Sequence, residues 1–111
     1  MPSTAYVIAN LTEIRPGPGG AEYLKRIDDT LEPFGGRFLV HGAPPEVLEG
    51  SCTSDTVIVQ FPDAAGARAW YASPAYEAIK HLRTAQYVGT VLIIEGVPEN
   101  HRSTDLLAAL R

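Results

Sequence analysis

The spacing of apolar residues predicts an α+β chain of the ferredoxin-like βαββαβ plan, an antiparallel four-stranded sheet with helices on one face, paired with a second copy as a dimeric α+β barrel. Three observations carry this prediction. Segments of strand and helix periodicity follow one another in the order strand, helix, strand, strand, helix, strand. Clusters of glycine and proline punctuate them. Every strand segment carries apolar side chains in both registers, whereas an antiparallel sheet with one face in water alternates cleanly, so the second face needs another sheet to cover it.

Ala5 to Leu11 reads as the first strand, with Tyr6, Ile8 and Asn10 on one face and Val7, Ala9 and Leu11 on the other. The run Arg15-Pro16-Gly17-Pro18-Gly19-Gly20 forces a loop. Leu24, Ile27 and Leu31 then recur at helical spacing, and Pro33 with Gly35-Gly36 ends that helix. Arg37 to His41 is the second strand, and strict alternation puts Arg37, Leu39 and His41 on one face. Gly42 to Pro45 breaks it, and Val47-Leu48-Glu49-Gly50 reads as a short continuation beyond a kink. Thr56 to Phe61 is the third strand. Asp63 is placed to cap a helix over Ala64 to Ala72, its carboxylate accepting from a first-turn N–H. Ser73-Pro74 restarts the helix, because serine caps and proline suits the first helical position. This segment runs to about Tyr87, Gly89 stops it, and Thr90 to Glu95 is the last strand. In the tail, Leu106, Leu107 and Leu110 follow a Ser-Thr-Asp cap at helical spacing, a helix too short to stand alone. Residues 1–98 are thus expected to form one domain, and residues 99–111 a tail with a short docking helix.

A chain of 111 residues is the size of a single domain, and its 45% hydrophobic and 20% charged residues are those of a soluble globule. A net charge of -4 with no basic run argues against a nucleic-acid partner, which demands clustered Lys and Arg. The one cysteine, Cys52, excludes an intrachain disulfide and a cysteine-based metal site. No signal peptide is visible and the longest apolar run, Val91 to Ile94, is too short to span a bilayer, so no membrane partner is expected and the cytoplasm is the default location. His41, His81 and His101 are dispersed without metal-ligand spacing, and Gly17 to Gly20 lacks the Gly-Lys-Ser/Thr ending of a phosphate loop, so no metal or nucleotide cofactor is expected.

Several segments together form a recognisable pattern: Ala5-Tyr6-Val7-Ile8-Ala9-Asn10, Tyr23, Gly35-Gly36-Arg37-Phe38-Leu39-Val40, Val47-Leu48-Glu49-Gly50, Phe61-Pro62, Ala69-Trp70-Tyr71-Ala72-Ser73-Pro74-Ala75-Tyr76 and Arg83. The chain resembles the DUF1330 family of the dimeric α+β-barrel superfamily from Tyr6 to about Val97. The resemblance implies the fold and the dimer, and supplies no reaction. Relatives in the wider superfamily include cofactor-free monooxygenases, polyketide cyclases, muconolactone isomerases and haem-degrading enzymes, among which fold analogy cannot choose. The Pro-Gly loop before the first helix and the leucine-bearing tail depart from the pattern.

Two stripes can carry chemistry. In the first, Arg37 and His41 share a face, with Asn10 added if it lies on the same sheet face. A guanidinium grips a carboxylate or enolate, and a histidine moves protons near neutral pH. The competing reading pairs Arg37 with Glu49 and leaves Asn10 satisfying backbone groups. In the second stripe, Tyr76, Lys80, Arg83 and Tyr87 fall on one helical line after Trp70 and Tyr71. Trp70 packs either as a ligand wall or, more in keeping with aromatics at helical spacing, in the core. The expectation is a small-molecule-binding barrel: a cofactor-independent cyclase, isomerase or monooxygenase, with Arg37 on an oxyanion, His41 or Glu49 moving the proton, and Asn10, Trp70, Tyr76 and Arg83 holding substrate. The alternative is a non-catalytic ligand-binding or purely structural dimer.

Overall fold

In the computed structural model, which describes residues 3–15 and 17–110 and the side chains through Ala108, seven regular elements follow the predicted order. They are β1 (Ala5–Ile14), α1 (Gly19–Leu31), β2 (Arg37–His41), β3 (Asp55–Phe61), α2 (Ala64–Tyr71), α3 (Pro74–Thr84) and β4 (Tyr87–Glu95). The strands form one antiparallel sheet in the order β2-β3-β1-β4, the ferredoxin-like arrangement. Short 3-10 turns follow α1 (Glu32–Phe34) and close the tail (Ser103–Leu110). Pro16 and the side chain of Leu110, part of the expected loop and tail helix, lie outside the described residues.

Local chemistry explains the boundaries. Asp63 caps α2, its Oδ1 accepting from the Gly66 N–H at 2.7 Å, and Ser73 caps α3 in the same way toward Tyr76. Pro74 stands at the first helical position. Helix α3 ends at Thr84 rather than continuing to Tyr87, and β4 begins at Tyr87. The Gly17–Gly20 run has a packing role: Gln86 is buried beneath it, and a Cβ on Gly17 or Gly20 would strike the Gln86 side chain. Residues 42–54 form no strand, so the expected continuation around Val47 is an exposed loop, with Leu48 87% exposed.

One face of the sheet is covered. Val7, Val59 and Phe61 meet Tyr23, Ile27 and Leu31 of α1 and Ala67, Trp70, Tyr76 and Ile79 of α2 and α3 in a single core. Leu24, expected on the packed face of α1, is 49% exposed, and Tyr23 takes the inward position. Trp70 belongs to this core, donating from Nε1 to Thr30 Oγ1 at 3.0 Å. The opposite sheet face, carrying Tyr6, Ile8, Ile58, Val40, Leu92 and Ile94 by register, has no covering layer among the described residues. The tail also protrudes: Leu106 and Leu107 are exposed, and the radius of gyration of 15.9 Å exceeds the about 13 Å of a compact chain this long.

Two bulges break the register of the sheet. One lies between Leu11 and Glu13, where β1 shifts against β4 beside Gly89. A Cβ at Gly89 would fall on the Asn10 carbonyl oxygen. Gly89→Ala is therefore expected to destabilise the chain by about 1–3 kcal/mol, the range for overpacking. Asp63→Ala should cost about 1 kcal/mol through the lost cap. Denaturant titration of both variants checks the order, Gly89→Ala being the more damaging.

Candidate functional site

The second bulge decides where the polar residues go. Arg37 pairs with Gln60 and Phe38 with Val59, but the next partners are Val40 with Ile58 and His41 with Val57, so Leu39 is the extra residue. A residue inserted in a strand inverts the facing of all that follow it. Arg37 therefore points to the open face with Gln60, and its Nη2 lies 3.5 Å from Gln60 Oε1. His41 points to the helix-covered face, where its ring stacks on Phe38 with centroids 4.0 Å apart. The expectation that Arg37 and His41 share a face fails for this reason.

On the helix-covered side, His41 borders a cavity of about 270 Å3 between the sheet and α1 and α3. Ala9, Leu11 and Val57 form its sheet wall, with Asp55 at the start of β3. Ile14, Leu24 and Tyr87 narrow it, and Tyr23 and Arg83 enter from the helices. A larger, more open groove of about 480 Å3 beside β2, lined by Asp28, Glu32 and Arg37 among others, has no histidine or tyrosine. The smaller cavity is the candidate site because polar groups of the sheet and of the helices line its largely apolar surface.

Behind the cavity runs a phenol–guanidinium network. The Tyr23 and Tyr76 hydroxyls are 2.7 Å apart, and Arg83 Nε donates to the Tyr76 hydroxyl at 3.0 Å. Arg83 Nη2 lies 3.5 Å from the Tyr71 hydroxyl, and Lys80 sits over the Tyr71 ring at 4.6 Å. Tyr76 is 2% exposed, so it holds the network from inside the core rather than lining the cavity. Burial first, and then Tyr76, push the Tyr23 phenol far above its ordinary value of 10.0, against the opposing pull of Arg83. Burial disfavours the charge on Arg83, yet the phenol oxygens of Tyr76, Tyr23 and Tyr71 raise its pKa overall.

Of the residues singled out from sequence, the fold brings His41 and Arg83 to one cavity, with Tyr76 one hydrogen bond behind. Arg37 and Asn10 lie on the other sheet face, where Asn10 Oδ1 accepts from Thr56 Oγ1 at 3.2 Å. Glu49 is exposed in the 42–54 loop, and among the described residues it forms no ion pair with Arg37 within 4.0 Å. Trp70 is enclosed in the core and lines no wall of the cavity. Sequence reasoning misses Asp55 and names Tyr23 only within the family pattern; Tyr87, read there as the end of the helical stripe of Tyr76, Lys80 and Arg83, reaches the cavity from the start of β4 instead. Among the described residues no group of three or more His, Cys, Asp or Glu is placed to hold a metal ion, and no helix is long and apolar enough to cross a membrane.

The family model for DUF1330, a domain of unknown function, matches residues 4–97. No curated protein matches the chain. Among solved structures, the chain is similar to a protein of unknown function from Rhodopseudomonas palustris, RPA0582, with TM-score 0.68 and 16% identity over 88% of this chain and 85% of that one. It is similar to SnoaB, a cofactor-independent oxygenase from Streptomyces nogalater, with TM-score 0.60 and 12% identity over 90% of this chain and 99% of that one. A dimeric ferredoxin-like protein of unknown function from Thermobifida fusca matches with TM-score 0.58 and 11% identity over 86% and 93%. At these identities the likeness concerns the fold.

The network makes two measurable demands. Tyr76→Phe removes the hydroxyl between Tyr23 and Arg83 and should destabilise by about 1–3 kcal/mol, the cost of unsatisfied buried groups. The raised pKa of Tyr23 means that the folded state keeps its proton at a pH where the unfolded chain has released it. Its contribution is complete below the ordinary phenol value of 10.0 and is lost as pH rises beyond it. Unfolding free energy measured through this range should fall more steeply for the native chain than for Tyr23→Phe.

Proposed function

The chain belongs to the DUF1330 family of domains of unknown function, and from that premise we propose that it is a small-molecule-binding dimer whose cavity carries out proton transfer without a bound cofactor. One observation carries this reading: His41 from the sheet and Arg83 from α3 line the same largely apolar cavity. A ligand oxygen placed against Tyr23 and Arg83 meets hydrogen-bond donors there, while an adjacent acidic C–H or O–H faces His41. Abstraction of that proton by the imidazole leaves an enolate or phenolate held by the same donors. This step is common to isomerisation, cyclisation and cofactor-free oxygenation. The similarity in fold to SnoaB supports the last of these as one member of the set. At about 270 Å3 the cavity lies just below the usual range of small-molecule sites, which suits a compact molecule of one or two rings.

Dimerisation follows from the uncovered sheet face. Leu92 and Ile94 are 42% and 50% exposed on one chain, and stacking a second sheet on this face removes them from water. The Thermobifida fusca relative in fold is described as dimeric. In this assembly Arg37, Asn10 and Gln60 lie at the sheet-to-sheet interface. Ligand binding without turnover is the second reading, favoured by the contact that orients the imidazole among the described residues being the stack on Phe38 rather than a hydrogen bond to the neighbouring Asp55.

Light scattering should report a dimer for the native chain and a monomer for Leu92→Lys, and a native chain that is monomeric at micromolar concentration overturns the face-to-face assembly. A thermal-shift screen of small oxygenated aromatics should find compounds that raise Tm by mass action. With such a compound as substrate, His41→Ala should lower turnover by about 10²–10⁴-fold while keeping the shift in Tm. Unchanged turnover removes His41 as the base, and binding with no turnover in the native chain selects the second reading.

A further inference from the structure

We infer that the ligand of this cavity is an organic anion, a carboxylate or a phenolate or enolate on a compact apolar body, and that its charge completes Arg83. The inference rests on the cavity being the ligand site and adds the charge state of what it takes. Arg83 is half-buried at the cavity wall and donates only to the hydroxyls of Tyr76 and Tyr71 among the described residues. Among the described residues, ion pairs within 4.0 Å join Arg15 with Glu13, Arg26 with Glu22, Lys80 with Glu77 and His101 with Asp105; none involves Arg83.

A guanidinium taken partly out of water is stable in a protein when a negative charge or a full set of acceptors compensates it. Neutral phenols compensate it weakly. Tyr23 does not supply the charge itself, since its phenol is held in its protonated form. Asp55 is the one carboxylate on the cavity wall among the described residues, and it stands beyond ion-pairing distance from Arg83. The neighbouring cation, Lys80, already has Glu77 at 2.7 Å. The Tyr23 hydroxyl stands beside the guanidinium, linked to it through Tyr76, so an anionic oxygen seated there meets a charged donor and a neutral one. Asp55 on the far wall works against a second anionic group, which favours a ligand with one negative charge and an apolar remainder.

The test uses the full chain and two pairs of near-isosteric probes: benzoate with benzamide, and 4-nitrophenol with 4-nitroanisole. Binding is followed by saturation-transfer NMR, and the ionisation of 4-nitrophenol by its visible absorbance. The expected result is that the anions bind at least about tenfold more tightly than their neutral partners, the step worth about 1.4 kcal/mol. Bound 4-nitrophenol should also ionise at lower pH than free. Arg83→Met should erase the preference, and Arg83→Lys should keep most of it. Preference for benzoate alone assigns a carboxylate, and preference for 4-nitrophenolate alone assigns a phenolate or enolate. Neutral probes that bind as well as the anions overturn the charge assignment while leaving the cavity as a site. Failure of all four probes to bind overturns the site itself. The comparison within the native chain stands even where the Arg83 variants fold poorly.

Discussion

A phenol hydroxyl enclosed in an apolar core must be hydrogen bonded, and the way Tyr76 meets this requirement organises the helical layer. Tyr76 is 2% exposed, in contact with Trp70 and Tyr71, and its oxygen has two partners, Tyr23 from α1 and Arg83 from about two turns further along α3. The first bond ties α1 to α3. The second draws a guanidinium inward that would otherwise extend into water. Trp70 is constrained in the same way, its indole N–H finding Thr30 of α1. Two polar tips thus register three helices against one another, while the apolar bodies of the same side chains fill the core.

The sheet contributes through an irregularity. With Leu39 accommodated as an extra residue in β2, the strand presents Arg37 to one face and His41 to the other. A regular β2 would place both on a single face. The bulge lies on an edge strand, where an unpaired residue is accommodated most readily. Its consequence reaches across the fold: His41 comes to the helix-covered side, opposite the arginine that Tyr76 draws inward. The two displacements together bring a histidine and an arginine to one apolar cavity.

What the helices leave uncovered shapes the rest of the molecule. The helical layer covers one face of the central strands but leaves Val91 and Ile93 of β4 exposed on that side, and the other face keeps Leu92, Ile94 and their neighbours in contact with solvent. The 42–54 loop and the tail are exposed along most of their length and give a single chain extents of 48 × 36 × 21 Å. An apolar face of this kind is what the proposed sheet-to-sheet pairing would remove from water. The loop also leaves from Gly42 and returns to Asp55, both at the cavity, so the cavity mouth and the protruding loop share their anchors.

Element order, antiparallel topology and most boundaries are legible in the residues, because they depend on local chemistry: alternation, the Asp63 and Ser73 caps, Pro74 and the glycine breaks. The family is legible too, in the Gly-Gly-Arg and Trp-Tyr-x-Ser-Pro-x-Tyr segments, and the match over residues 4–97 agrees with it. The division into a domain and a tail is read from composition, and Leu106 and Leu107 of the tail are exposed. Spacing alone carries α3 three residues too far, since Ala85 and Gln86 are good helix formers, whereas in the fold Gln86 is buried under the glycine loop where the chain turns into β4. The site divides along the same line. Arg83 and Tyr76 share a helical stripe that spacing reveals, whereas the facing of His41 depends on a bulge that no residue in Arg37 to His41 announces. A bulge is set by the register between β2 and β3, and register is a property of two strands meeting, not of either sequence alone.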